Sequence, residues 1–318
     1  MKRISLDYVI VSFLDSYEFP LREATRKQVW WDAEENKKKG RDVTVIIVDH
    51  HAPLKTIDEI DILYLTPGEF CKKKIAAQEI HYLTGCIVPN LFTIVTTKSS
   101  RKYLTLVDGF MFGSSKYWMR KFISKFMPLL FEEIRVYSQH QKKLLGYGNL
   151  VKPYLPKLKV PDLPKNKKPT VLYMGHVSKS KGFDIIIPAI QRFLEQDRLN
   201  QFVLANNMIE VSPVYMEKID ELIKKYPDQI IMKGVIDPAE ELRKAWVYIY
   251  PFIEARGTMA FPLSLYESLQ CGTPFVACDI SANAEFFDKK YLIEPGNANQ
   301  LYEKINYFIN ERKNTTDI

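Results

Sequence analysis

The stretch from Tyr250 to Phe287 constrains the fold of this chain more than any other part of the sequence. It starts at the end of an apolar segment, Val247 to Pro251, and runs through a polar loop into residues with helical spacing: Leu263, Leu265, Tyr266 and Leu269. Gly272 to Pro274 would end that helix, and the apolar run Phe275 to Cys278 is typical of a strand in a parallel sheet. The stretch therefore predicts a strand, a loop, a helix and a second strand.

This succession also predicts an anion site. The first amides of a helix have no intrahelical acceptor, and the helix dipole favours negative charge at the same end. The amides near Leu263 and Ser264 would occupy that position, and Glu267, about one turn further, could accept hydrogen bonds from the hydroxyls of a ribose. We expect a nucleotide diphosphate that carries a sugar as the ligand.

The first half of the chain alternates strands and helices. Asp7 to Phe13 is predicted as a strand, Thr25 to Lys39 as a helix that Gly40 ends, and Val43 to Val48 as a strand buried on both faces. Three further strands are expected: Ile62 to Leu65, Leu91 to Thr96 and Glu133 to Tyr137. A strand, a helix and a parallel strand form the crossover unit of a doubly wound sheet.

The second half repeats this alternation. Val171 to Gly175 is predicted as a strand, His176 to Lys181 as a loop and Gly182 to Glu195 as a helix. A strand at Gln201 to Ala205 follows, and the tail from Asn299 to Lys313 has a helical pattern. The second half therefore predicts a further α/β domain.

A segment rich in proline separates the two halves. Leu150 to Thr170 contains five prolines and six lysines with little periodicity, so it is predicted to be a linker. We expect an N-terminal Rossmann-like domain at residues 1–155, a linker at 156–169 and a C-terminal Rossmann-like domain at 170–318. Domain closure about such a linker could exclude water from a cleft.

Composition fits an ordinary globular protein of 318 residues, with 46% hydrophobic and 26% charged residues. No apolar run reaches the roughly 20 residues that span a bilayer, and the apolar N-terminal stretch is interrupted by Asp7, as a first strand would be. The four cysteines show no zinc-binding spacing, which favours a reducing compartment. We therefore expect a cytoplasmic protein whose net charge of +7 suits phosphorylated substrates or an anionic membrane surface.

The stretch that begins at Tyr250 resembles the C-terminal half of GT-B glycosyltransferases, and more narrowly the retaining group called family 4. The positions in register with the family's motifs are Pro251, Phe261, Leu263, Glu267, Cys271-Gly272-Thr273-Pro274 and Glu285. The loop that the family writes G-R-x-x-x-x-K-G is matched by Gly175, Lys181 and Gly182, with His176 in the position of the arginine. The resemblance implies an α/β fold of two Rossmann-like, doubly wound domains that face each other across a cleft.

The resemblance also implies roles for these residues. Lys181 would stabilise charge on the departing diphosphate, Glu267 would bind the ribose, and Arg256 is a second candidate for the missing cation. The backbone at Gly234 and Val235 would read the base, so UDP and GDP both remain open. Transfer would go from the nucleotide sugar to a glycan, lipid or protein acceptor with retention of configuration. No metal or other cofactor is expected.

Several departures from the family pattern keep other functions open. Met259 stands where the first glutamate of the family's E-x7-E pair is expected, and the loop after the first strand, Asp15 to Pro20, has no glycine. A degenerate GT-B protein that binds a nucleotide or glycan without turnover, and a nucleotide-sugar epimerase on the same fold, are the two alternatives. Mixing the protein with nucleotide sugars would distinguish a transferase, which releases nucleotide only with an acceptor, from a binding protein, which shows saturable binding without release.

Ser114 to Leu130 mixes lysine and arginine with aromatic residues at helical spacing. Such a helix can lie on an anionic membrane, here the inner face, or can pack on the N-terminal sheet with a solvated basic face. The adjacent His50 and His51 lack the further ligands that a metal site needs, and the basic residues form no nucleic-acid module. A peripheral membrane contact is therefore an open expectation, and binding to nucleic acid is not expected.

Overall fold

The computed structural model describes residues 5–13, 24–49, 52–73, 75–84, 94–95, 97–107, 121–122, 124–153, 155, 158–206, 211–254, 259–280 and 282–316. The chain divides into two compact units. The first unit comprises Met1–Pro156 and Arg256–Phe261, and the second comprises Lys157–Ala255 and Pro262–Ile318. Each unit contains one sheet.

The first unit is built on an eight-stranded sheet with the order β3-β4-β2-β1-β5-β6-β7-β8. The strands are β1 Ser5–Ser12, β2 Val43–Val48, β3 Ala52–Ile57, β4 Ile60–Leu65, β5 Ala76–Thr84, β6 Lys98–Leu106, β7 Glu133–Val136 and β8 Asn149–Leu150. The helices are α1 Ala24–Lys38, α2 Pro67–Lys73 and α3 Gln139–Leu145. Only the pairing of β3 with β4 is antiparallel among the pairings described, so the sheet is of the doubly wound α/β type.

The centre of this sheet follows from its sequence. Every residue of β2 is buried, as its β-branched run predicts, and Val9, Ile10 and Val11 of β1 are fully buried beside it. The prediction of a strand at 91–96 is wrong at 94 and 95, the two of these positions that the structure describes. Ile94 and Val95 are helical, the neighbouring strand β6 begins only at Lys98, and the other positions lie outside the described residues.

The second unit is built on a six-stranded sheet with the order β11-β10-β9-β12-β13-β14. The strands are β9 Thr170–Met174, β10 Gln201–Ala205, β11 Ile230–Lys233, β12 Val247–Tyr250, β13 Phe275–Cys278 and β14 Leu292–Ile293. The helices are α4 Phe183–Gln196, α5 Pro213–Lys225, α6 Pro238–Lys244, α7 Leu263–Gln270, α8 Asn283–Phe286 and α9 Ala298–Thr316. All pairings in this sheet are parallel.

Part of the segment expected to be a linker is hydrogen-bonded to the second unit. The Lys165 ammonium donates to the carbonyls of Leu242 and Ala245, at 3.4 and 2.8 Å, and to the Thr273 hydroxyl. The Trp246 indole donates to the Asn166 carbonyl at 2.7 Å. Residues 165 and 166 therefore belong structurally to the second unit.

Residues 114–120 and 123 of the predicted helix at 114–130 lie outside the described residues. Residues 121, 122 and 124 are helical, and Met127–Leu129 forms a 3₁₀ turn. Phe122, Phe126 and Leu129 are exposed, whereas Met127 is fully buried. In the part of the chain that the structure describes, no helix has the length and apolar character needed to cross a membrane.

Candidate functional site

The site lies at the carboxyl edge of the sheet of the second unit. Since β9 and β12 are parallel neighbours, the loops that follow them leave from the same edge. The connection after β9 leads to β10 on one side, and the connection after β12 leads to β13 on the other. Such a switch in strand order opens a crevice where ligands bind in open α/β sheets.

The loop after β9 is held in shape by hydrogen bonds from neighbouring side chains. The Tyr173 hydroxyl donates to the carbonyl of His176 at 2.6 Å, and the Asn206 amide donates to the carbonyl of Gly175 at 2.6 Å. Gly175 has φ +143° and its amide donates to the Ala205 carbonyl at 3.0 Å. The start of the loop is therefore fixed to both β9 and the end of β10.

Gly182 shows how closely the loops after β9 and β12 pack. It ends the 3₁₀ turn Lys179–Lys181 with φ +84°, and a Cβ built on it would lie 2.0 Å from the carbonyl oxygen of Pro251. Next to this contact, the amide of Ile253 donates to the carbonyl of Ser180 at 3.0 Å. Only glycine fits at position 182, and the backbone contact places Lys181 at the switch point.

Lys181 is buried and lies against an aromatic ring. Its side chain is 8% exposed, and Nζ lies 4.2 Å from the ring centroid of Phe252. The Phe252 ring is itself stacked on Tyr250, with ring centroids 3.7 Å apart. A ring face attracts a cation through its quadrupole, so this contact holds the end of the Lys181 side chain at the carboxyl edge of the sheet.

Helix α7 supplies the second part of the site. Its N-cap is Pro262, which provides no side-chain cap, and the amides of Leu263 and Ser264 find no acceptor among the described residues. Glu267 lies in the same helix and is 6% exposed. The helix therefore presents amides and a buried carboxylate near the end of β12.

A tyrosine connects this helix to the sheet. The Tyr248 hydroxyl donates to Ser264 Oγ at 3.2 Å. Burial, with a smaller contribution from the charge of Glu267, raises the pKa of Tyr248 well above its ordinary value. The hydroxyl therefore stays protonated and acts as a donor.

The remaining residues predicted for the site follow other strands than the Lys181 loop does, or lie outside the described residues. Gly234 and Val235 follow the edge strand β11 and are exposed, and Glu285 lies on α8 and is exposed. By strand order they share the carboxyl edge with Lys181, but β10 separates β11 from β9. Arg256 lies outside the described residues. The structure brings Gly175, Lys181 and Gly182 together and leaves the contribution of Gly234, Val235 and Glu285 as a prediction.

The second unit matches a known family. The family described as Glycosyl transferases group 1 matches residues 157–318. The chain belongs to this family. No curated protein matches the chain.

Solved structures similar to this group 1 glycosyltransferase cover nearly the whole chain. Sucrose-phosphate synthase from Thermosynechococcus elongatus is 15% identical, with a TM-score of 0.69 over 96% of this chain and 90% of that one. HepE from Anabaena in complex with UDP is 12% identical, with a TM-score of 0.69 over 96% of this chain and 91% of that one. An α,α-trehalose-phosphate synthase (UDP-forming) from Burkholderia vietnamiensis is 10% identical, with a TM-score of 0.61 over 97% of this chain and 90% of that one. These likenesses show that the fold is GT-B.

Three contacts in the site of this glycosyltransferase were missed from the sequence. These are the ring of Phe252 under Lys181, the amide of Asn206 on Gly175, and the hydroxyl of Tyr248 on Ser264. All three residues lie in a strand that borders the site or within two residues of its end. Aromatic and amide side chains at the carboxyl ends of neighbouring strands were therefore the available signal.

The described residues contain no group of three histidine, cysteine, aspartate or glutamate side chains that could hold a metal ion. His50 and His51 lie outside the described residues.

Proposed function

We propose that this group 1 glycosyltransferase transfers a sugar from a nucleotide-diphosphate sugar to an acceptor hydroxyl. What supports the proposal is the strand order, because the Lys181 loop follows β9 and the uncapped helix α7 follows β12, its parallel neighbour. A buried cation and free helix amides at the same sheet edge are complementary to a diphosphate. The complexes with UDP and UDP-glucose described for HepE support a nucleotide sugar as the donor.

We propose the following roles for the residues of the donor site. The diphosphate would lie over the amides of Leu263 and Ser264, with Lys181 stabilising the charge that grows as the diphosphate departs. Glu267 would accept hydrogen bonds from the ribose diol. His176, Gly234, Val235, Glu285 and Arg256 would complete the donor site. We propose that the backbone after β11 contacts the base and so determines whether the donor is a UDP sugar or a GDP sugar.

The reaction we propose retains anomeric configuration and needs no metal ion. The donor phosphate itself would take the proton from the acceptor hydroxyl, and lysine and helix dipole would supply the positive charge. We assign the acceptor, a glycan, lipid or protein, to the first unit. A single ¹H NMR time course of the product anomer tests the stereochemistry, and activity in EDTA tests the need for metal.

A ligand-stability experiment tests the donor site. A bound ligand raises the free energy of unfolding by about 2.7 kcal/mol at a hundredfold excess over Kd. We expect the cognate member of a panel of UDP and GDP sugars to raise the Tm of the wild type, and to raise it far less in Lys181→Ala and Glu267→Ala. Lys179→Ala is the matched control, because Lys179 lies in the same 3₁₀ turn and is exposed. Equal responses from all variants would refute the site.

A non-catalytic binding protein is the second candidate, because Met259 replaces the expected glutamate. The panel separates the two functions when released nucleotide is also measured. A transferase releases nucleotide faster when an acceptor is added, whereas a binding protein shows saturable binding without release.

We also propose that the segment around Phe122 lets the enzyme approach an anionic membrane. Phe122 and Phe126 are exposed and in edge-to-face contact, with ring centroids 5.4 Å apart, and Lys121 and Lys125 are exposed beside them. Aromatic residues bordered by cations are typical of interfacial binding. Cosedimentation should occur with phosphatidylglycerol vesicles and not with phosphatidylcholine vesicles, and Phe122→Ser/Phe126→Ser should abolish it.

A further inference from the structure

The second unit contains a polar pocket away from the donor site. An open pocket of about 370 Å³ lies between the end of α4 and the last turns of α9. Asn200, which lines it, directly precedes β10, so the pocket lies at the amino ends of the strands. The candidate donor site lies at the opposite, carboxyl edge of the same sheet.

The lining of the pocket is rich in amides and balanced in charge. Its polar residues are Gln196, Asp197, Asn200, Asn306, Asn310 and Lys313. Four of them carry carboxamides, which donate and accept hydrogen bonds at once. The single carboxylate and the single ammonium offset each other, so the pocket offers no net charge to a ligand.

Some of these side-chain amides have donor or acceptor atoms that form no hydrogen bond with other described residues. The side chains of Asn306 and Asn310 make no hydrogen bond with other described residues. Asn200 donates to the Phe193 carbonyl at 2.7 Å, but its buried Oδ1 finds no donor within the described part of the chain. This oxygen is enclosed by protein, so the amides that a ligand can reach are those of Asn306, which is half-buried, and Asn310, which is exposed.

Asn306 and Asn310 also have a low intrinsic propensity for the helix in which they lie. Asn306 and Asn310 are four residues apart on α9 and therefore lie on the same face. Asparagine has a low helix propensity because its side chain competes for backbone hydrogen bonds. Two asparagines on the pocket face favour a role other than helix stability.

We propose that this pocket binds a neutral saccharide. The hydroxyls of a sugar donate and accept in close succession, which matches a surface of carboxamides, and the absence of net charge disfavours a phosphate or a nucleotide. Its volume lies at the lower end of the roughly 300–1,000 Å³ of small-molecule sites. The pocket would hold a glycan chain on the enzyme at a distance from the reacting hydroxyl. The proposal does not depend on transfer at the donor edge.

The test measures sugar binding with the donor site blocked. Binding of glucose, N-acetylglucosamine and their 1,4-linked disaccharides is followed by ¹⁵N-edited NMR titration in saturating UDP and again in the Glu267→Ala variant. We expect at least one neutral sugar to shift amides of residues 196–200 and 306–313 in both samples. Asn306→Ala/Asn310→Ala should weaken this binding at least tenfold.

The controls separate lost binding from lost folding. Alanine is the better helix former, so the double variant should be at least as stable as the wild type. Glu311→Ala, at an exposed position on another face of α9, should bind like the wild type. Absence of binding up to 50 mM sugar, unchanged binding by the double variant, or binding of glucose 6-phosphate but not glucose would each overturn the proposal.

Discussion

The two units place their buried polar groups in different parts of their sheets. In the first unit, His81 lies within β5, with Nδ1 2.9 Å from Asp32 Oδ2 on α1 and Nε2 2.7 Å from Thr105 Oγ1 on β6. The Tyr8 hydroxyl donates to the same Asp32 oxygen at 3.0 Å. In the second unit, Lys181 and Glu267 lie where the strands have already ended.

The positions of the two sets of polar groups indicate their roles. The groups around His81 satisfy one another between helix and sheet, so they fix packing. Burial disfavours the Asp32 carboxylate, but the neighbouring His81 outweighs it and holds the pKa of Asp32 below its ordinary value. The groups around Lys181 lie instead at the carboxyl edge of the sheet, which is where ligands bind in open α/β sheets.

The largest effect should come from breaking the polar network of the first unit. His81→Leu removes the ionisable partner of the Asp32 carboxylate and leaves it only the neutral donors Tyr8 and Asn36, so we expect a loss of about 3 kcal/mol in the free energy of unfolding. Hydrogen exchange should show this loss in peptides of α1, β1 and β5. Because the pKa of Asp32 is lowered, the stabilisation is present above about pH 4, the ordinary value for aspartate, and declines as the pH falls further.

Thr105→Val is the control, since it removes one hydrogen bond and should cost about 1 kcal/mol. The response of the second unit to a nucleotide sugar should not change in either variant. If His81→Leu were as stable as Thr105→Val, the network would not be the packing element that we describe.

A steric change at the edge of the second sheet should have the next largest effect. Gly182→Ala puts a methyl group 2.0 Å from the Pro251 carbonyl at φ +84°, so the loop after β9 must shift. We expect about 2–3 kcal/mol of destabilisation and loss of nucleotide-sugar binding. Gly234→Ala is the matched control, because nothing lies within 4 Å of a Cβ there. Equal Tm values for the two variants would refute the close packing.

The same contrast explains what the sequence could predict. The β-branched run at Val43–Val48 and the helical spacing around Leu263 carry local patterns, and both elements are present. Strand β5 was missed because it contains Glu79 and His81. Glu79 is bound by Arg41 and Arg101, at 3.1 and 3.3 Å, and these partners are distant in sequence. Ion pairs with distant residues stabilise such a charged residue in a strand. A local sequence pattern does not contain those distant residues.

The site shows the same limit. Lys181 and Gly182 were found from their spacing to Gly175, whereas Phe252 was not, because its contact with Lys181 joins two loops that meet only in the folded sheet. A sequence motif contains residues at fixed spacing within a single loop. It does not contain a residue of a second loop, such as Phe252, that contacts the motif in the folded protein.

Phe252 offers a smaller test of that contact. Phe252→Leu keeps an apolar side chain but removes the ring under the Lys181 ammonium, an interaction worth about 0.5–2 kcal/mol. We expect nucleotide-sugar binding to weaken by a factor of about 2–30, measured by calorimetric titration. Phe252→Tyr keeps the ring face and should bind like the wild type. Equal affinities for the two variants would show that the ring does not position the lysine.

The smallest effect should come from Lys165, which ties the segment between the units to the second unit. Burial, and then Arg312 and Arg243, lower the pKa of Lys165 to about 7. Between about pH 7 and pH 10.4 the unfolded lysine binds a proton that the folded one has lost, so the stability of the wild type should rise with pH relative to Lys165→Met.

Urea unfolding at pH 7 and pH 9.5 measures this difference, and Lys168→Met, at an exposed position of the same segment, should show none. A difference that stayed constant with pH would mean that Lys165 is solvated and that the segment is not held.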